Sequence, residues 1–329
     1  MRRFARTLTT VAVVATVIAG TAGWASGDAQ VAVTGAPAGT GAWRDAGLPD
    51  PEGMSPAGTA RFFAGLAPVR QRELARTHPT VVGNLDGAPL ALRYEANDRA
   101  TQGRFAGARV LAHDPRGRGQ VALVYGDPAR AEHVAVIVPG SDTDLDHVTP
   151  LADMARALHR ATGGRTAVVA WAGYTTPVGV GLDAATGRLA EAGADRLTRF
   201  VDGLAAVRPA GAAEPSVFCH SYGSVVCGLA AHDLKAKDLV VFGSPGMRAA
   251  NVAELGTSAR VWAAKDPTDW IDRIPNVELA GLGHGADPTD PDFGARRVPA
   301  EDATGHGGYF APGTSSLRTF AAIAEGDVR

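Results

Sequence analysis

The sequence predicts an α/β fold, with a mostly parallel central sheet, helices on both faces and a short helical segment in front. Three observations carry that expectation. Apolar strand-like runs alternate with helix-period segments from about residue 105 to the end, the order that builds a parallel sheet covered by helices. Residues 134–138 are a continuous apolar, β-branched run, the mark of a strand buried on both faces. A short apolar strand then meets His220-Ser221-Tyr222-Gly223 and leaves directly as an apolar helix.

The elements follow in order. Arg2, Arg3 and Arg6 precede an apolar run from Val11 to Gly20 and small residues around Ala25. That layout reads as a secretory signal peptide over residues 1–25. The run is shorter than the ~20 residues a membrane span needs, so no stable span is expected once the signal is removed. The expected location is secreted or cell-envelope associated, by the general or the twin-arginine route. Residues 26–53, rich in Gly, Ala, Pro and Thr, read as a flexible leader. Residues 54–104 form a helical segment: Ser55-Pro56 is a capped helix start, and Phe62, Phe63, Leu66, Val69 and Leu74 recur at helical spacing.

The main domain is expected over residues 105–329. Strands 109–112 and 120–125 flank Asp114-Pro-Arg-Gly-Arg-Gly119 as a hairpin. Strands follow at 134–138, 166–171, 216–219, 238–242 and 259–263. Helices are expected at 149–161, 189–207, 222–231 and 317–323. A net charge of −2 with no basic block gives no reason to expect nucleic acid as a partner.

The segment around Ser221 points to chemistry. A serine between strand and helix sits on a sharp turn that needs small residues two before and two after it, and these are Cys219 and Gly223. The helix start also aims free N–H groups at the reacting centre. A serine hydroxyl needs a base, and the base needs an orienting acid. With this layout the acid follows a late strand and the histidine comes last. Asp266 is the preferred acid, because it comes first after the strand and precedes a proline; Asp269 is the alternative. His306, in a glycine-rich loop before the last helix, is the preferred base over His284. His220 is expected to support the turn rather than take the proton. The oxyanion donors are expected to be the N–H groups of Tyr222 and Ser141, with Asp142 as alternative to the latter. Trp171, Tyr174 and the loop to Asp183 are expected to line the substrate pocket, at the carboxyl end of their strand.

Cys219 and Cys227 flank the serine. In an oxidising compartment they make either a disulfide or two buried thiols packing the turn. No zinc spacing surrounds them, and the acidic run Ser141–His147 lacks the glycine and late glutamate of a calcium loop. No metal or cofactor is required.

Beyond these residues, the chain from about Leu74 onward resembles an actinobacterial α/β-hydrolase family catalogued as domain of unknown function 1023. The resemblance rests on Gly83-Asn-Leu-Asp-Gly-Ala-Pro89 with Arg93 and Ala96-Asn97, on Pro139-Gly-Ser-Asp-Thr143, and on Trp171-Ala-Gly-Tyr174. It continues through His220-Ser-Tyr-Gly-Ser224, His284-Gly-Ala-Asp-Pro288 with Phe293-Gly294, and His306-Gly-Gly-Tyr309. Cys219 departs from the family's usual glycine. The resemblance implies the α/β-hydrolase fold and supports Ser221 and His306 as active-site residues, but supplies no substrate. The expected activity is a secreted serine hydrolase, esterase- or lipase-like, acting on a small-molecule or lipid-like acyl substrate. An amidase or peptidase using the same triad, and a non-catalytic envelope-binding protein on the same fold, are the alternatives.

Overall fold

The structure, a computed structural model, describes residues 29–279 and 281–328. The expected signal peptide, residues 1–25, lies outside the described residues.

The central sheet has eight strands. They are β1 (Arg109–Asp114), β2 (Gln120–Tyr125), β3 (His133–Val138), β4 (Thr166–Ala172), β5 (Ser216–His220), β6 (Asp238–Phe242), β7 (Arg260–Ala264) and the two-residue Arg296–Arg297. Their spatial order is β1-β2-β4-β3-β5-β6-β7 followed by Arg296–Arg297. β1 and β2 run antiparallel at one edge, and every pairing from β4 onward is parallel.

Side chains of β3 alternate between the faces. Val134, Val136 and Val138 join the core under helices Arg188–Val207 and Gly223–Ala230, while Ala135 and Ile137 join the core under Thr149–Ala161 and Ser315–Ala324. Both faces are apolar, so neither can turn to water. Within this frame the carboxyl ends of β3, β5, β6 and β7 are brought side by side, and the loops leaving them meet.

Ahead of the sheet, helices Pro56–Ala64, Pro68–Thr77, Pro79–Asn84 and Leu90–Thr101 pack with a core of their own. They are fixed to β1 by buried polar groups. Asn84 donates to the His113 carbonyl and accepts from its N–H, and Asn97 donates to the carbonyls of Gly83 and Val110. Gly83 is a steric requirement here, because a Cβ on it would lie 2.3 Å from the Asn97 amide oxygen.

The stretch expected to be a flexible leader differs from expectation. Its described part carries a helix, Thr40–Asp45, whose Trp43 is completely buried. The indole N–H donates to the Pro49 carbonyl at 2.7 Å, and the ring packs edge-on against Phe62 and His78. One large aromatic, buried by partners from the following helices, outweighs a composition that favours loops.

Candidate active site

The turn carrying Ser221, the candidate nucleophile, is built from the end of β5. Ser221 has φ = 53°, a left-handed conformation that a non-glycine residue rarely holds. Its N–H donates to the Phe242 carbonyl at 3.1 Å, its carbonyl accepts from Ser224, and helix Gly223–Ala230 begins immediately. Close approach explains the small neighbours. A Cβ on Gly223 would lie 2.6 Å from the Pro139 carbonyl oxygen, and one on Gly140 would lie 2.6 Å from the Ser221 Cβ. Cys219 and Cys227 form a disulfide, with Cα atoms 6.4 Å apart. The position usually left to glycine therefore carries a cross-link from the strand to the helix beyond the serine.

The carboxylate paired with His306 is Asp269, not Asp266 as expected from its place after the strand. The His306 Nδ1–H donates to the Asp269 carboxylate at 2.8 and 3.0 Å. The same fully buried carboxylate accepts from the Ile271 N–H and the Tyr309 hydroxyl, at 2.9 and 2.7 Å. Burial pushes this carboxyl up, but hydrogen bonds from His306, Ile271 and Tyr309 outweigh burial and hold it below the ordinary value. Asp266 instead folds back on its own loop. Its carboxylate accepts from the Thr268 N–H and hydroxyl, both at 2.8 Å, and its N–H donates to the Tyr309 hydroxyl. Coming first after the strand places Asp266 too early in the turn to face the imidazole. Gly243 (φ = 56°) keeps the space clear, since a Cβ there would lie 3.0 Å from Asp269 and 3.2 Å from His306.

His306 stands between two rings, His220 and Trp270, each with its centroid 4.6 Å away. Its Nδ1 is used by Asp269, which leaves Nε2 unprotonated and without that partner. Ser221, 8% exposed, and His306 line one cavity of about 240 Å³. Among the described residues no hydrogen bond joins the Ser221 hydroxyl to the imidazole; in resting enzymes such bonds are often long and tighten with substrate.

Ser141 and Tyr222 line the same cavity. The Asp142 N–H is committed to the Pro177 carbonyl at 2.8 Å, which removes it as the alternative donor to Ser141. His284, the alternative base, lies across the cavity against the Tyr222 ring, away from any carboxylate partner. Burial pushes it down to about 4.

Trp171 and Tyr174 are not in the cavity wall. Trp171 belongs to the β4 face that packs against helix Arg188–Val207, where it stacks on Tyr174 and meets Phe200, and both residues are 2% exposed. The Tyr174 hydroxyl donates to the Pro139 carbonyl at 2.7 Å, so it braces the Ser141 loop from below. The loop to Asp183 does reach the wall, through Gly179 and Val180, and the rest comes from a segment without a sequence signal for it, including Trp270, Ile274, Val277, Leu279 and Leu282. Tyr309, which the sequence offers only as the end of His306-Gly-Gly-Tyr309, bonds both aspartates.

The sequence profile of a family described as alpha/beta hydrolase matches residues 114–279. The chain belongs to the alpha/beta-hydrolase family. The uncharacterized protein Rv2079 of Mycobacterium tuberculosis is 28% identical, over 84% of this chain and 57% of its own length. The uncharacterized protein Mb0988c of Mycobacterium bovis is 32% identical over 44% of this chain and 59% of its own. The chain thus spans less than two thirds of these relatives. Among solved structures, esterase PE8 aligns with a TM-score of 0.41 at 16% identity, covering 62% of this chain and 97% of that one. Thermogutta terrifontis esterase 2 phosphorylated by paraoxon aligns at 0.43 and 12%, covering 68% and 93%. Likenesses this distant say nothing about substrate.

Proposed function

We propose that this alpha/beta hydrolase is a secreted serine esterase acting on carboxylic esters with an apolar acyl chain. One observation carries the reading: a serine held at positive φ shares a cavity with an imidazole whose other nitrogen is bound to a buried carboxylate. The Ser221 hydroxyl attacks the acyl carbon while His306 Nε2 takes its proton. Asp269 stabilises the imidazolium, and the N–H groups of Tyr222 and Ser141 hold the oxyanion. His306 then protonates the departing alcohol. Water, deprotonated by the same nitrogen, releases the acid and restores Ser221.

The apolar acyl chain is supported by the walls and the rim. Val178, Val180, Leu182, Trp270, Val277 and Leu279 all stand exposed on the two segments that frame the cavity mouth. Exposed apolar side chains gathered at one opening mark a binding surface. Secretion is supported by the Cys219–Cys227 disulfide, which suits an oxidising compartment. Among the described residues no helix is long and apolar enough to cross a membrane. The resemblance to the family catalogued as domain of unknown function 1023 fits the reading and adds no substrate.

The test is a panel of p-nitrophenyl esters from acetate to palmitate, with matched anilides. The reading expects ester hydrolysis that favours longer chains and is absent from Ser221→Ala. Preference for the anilides would move it to an amidase. A folded protein that cleaves neither would remove the esterase reading.

A further inference from the structure

His306 reaches the cavity from Thr304-Gly-His-Gly-Gly308, a loop with three glycines and little backbone stiffness of its own. Among the described residues, two hydrogen bonds tie that loop's backbone to other segments, one at the Gly305 N–H and one at the His306 carbonyl. On one side the Gly305 N–H donates to the Thr268 hydroxyl at 2.9 Å, and that hydroxyl donates on to Asp266. On the other, the His220 Nε2–H donates to the His306 carbonyl at 2.7 Å. The acceptor is a carbonyl, so the nitrogen must carry the proton. His220 is the residue immediately before Ser221, at the end of β5. Its ring lies stacked on Phe242, 5.0 Å between centroids, which fixes its orientation.

Resting on the reading of Ser221 as nucleophile and His306 as base, we infer that His220 is a positioning residue that ties the base-bearing loop to the nucleophile's own strand. One side chain thereby sets the spacing between hydroxyl and imidazole, two groups 85 residues apart in the chain. Asp269 alone does not do this, because it orients the ring through Nδ1 and makes no bond to the loop backbone beside it. Burial keeps His220 neutral, pushed down to about 3, so it is not a rival base. The Asp266–Thr268–Gly305 chain performs the matching task on the far side, which gives Asp266 a supporting role in place of the one expected from its position.

The experiment compares His220→Phe, which keeps an aromatic ring on Phe242 and removes the donor, with His220→Gln, whose amide restores an N–H near the Nε2 position. For a p-nitrophenyl ester, His220→Phe is expected to lower kcat by about ten- to a hundredfold with KM little changed, as small misplacements of reacting groups do. His220→Gln is expected to recover most of that loss. Amide hydrogen exchange at residues 305–308 reports the same tether without catalysis, and should quicken in the Phe variant and return toward wild type in the Gln variant. Unchanged kcat and unchanged exchange in His220→Phe would overturn the inference. Wild type that hydrolyses no ester would count against the esterase reading instead, and the exchange comparison would still decide whether His220 holds the loop.

Discussion

The two sides of the cavity are built in opposite ways. On the Ser221 side, the turn is seated between buried strands, cross-linked by Cys219–Cys227 and hemmed in by Gly140 and Gly223, where no Cβ fits. The facing side, from Trp270 to His284, consists of one 3₁₀ turn, the two-residue strands Glu278–Leu279 and Leu282–Gly283, and exposed apolar side chains. On the proposed reading, the rigid side holds what the chemistry needs, because a nucleophile misplaced by an ångström loses rate. On the same reading the lightly built side meets the part of the substrate that does not react, where shape and apolar area suffice.

That contrast can be broken where it is strongest. Asp269→Asn should cost about 10⁴-fold in kcat, by favouring the wrong imidazole tautomer, whereas Asp266→Asn should cost far less; steady-state kinetics on the same ester separates them. Next, Gly140→Ala should lower kcat by about a hundredfold while the circular dichroism spectrum is retained, since the added methyl strikes Ser221 before it disturbs the fold.

Stability effects come third. His220 and His284 are held neutral, at about 3 and about 4, while an unfolded histidine titrates near ~6.5. Below that value the unfolded chain binds protons that the folded chain refuses, so stability falls as the medium is acidified. The slope is about 1.4 kcal/mol per pH unit for each histidine until its folded value is reached. Urea unfolding at pH 7 and pH 5 should show the loss, and His284→Phe should remove about half of it, the share of His220 remaining. Replacing both Cys219 and Cys227 by alanine should cost about 2.5 kcal/mol, the loop-closure contribution expected of so short a cross-link, read by the same denaturant curves. The smallest effect belongs to the lightly built side. Leu279→Ala should raise KM for a long-chain ester by about tenfold and leave the acetyl ester nearly unaffected.

What the sequence made legible follows the same division. Ser221 was readable because its strand, turn and helix are contiguous, and the alternation of elements placed most strands within a residue or two. The choice between Asp266 and Asp269 was not readable. Both sit in one short loop, and it is Tyr309 and His306, some forty residues later, that select the second. Trp171 and Tyr174 were assigned to the pocket from strand direction alone, which says where a strand ends but not which face its last side chains take. The Trp270–His284 wall has neither helical nor strand periodicity, and Trp43 is buried by helices that its own glycine-rich neighbourhood does not announce.

Reaction of the intact protein with a fluorophosphonate, followed by mass spectrometry of the labelled peptide, tests the central claim most directly. One adduct on Ser221, lost in Ser221→Ala and strongly slowed in Asp269→Asn, is the predicted result. A folded protein that takes no label, or takes it at another residue, would contradict the account.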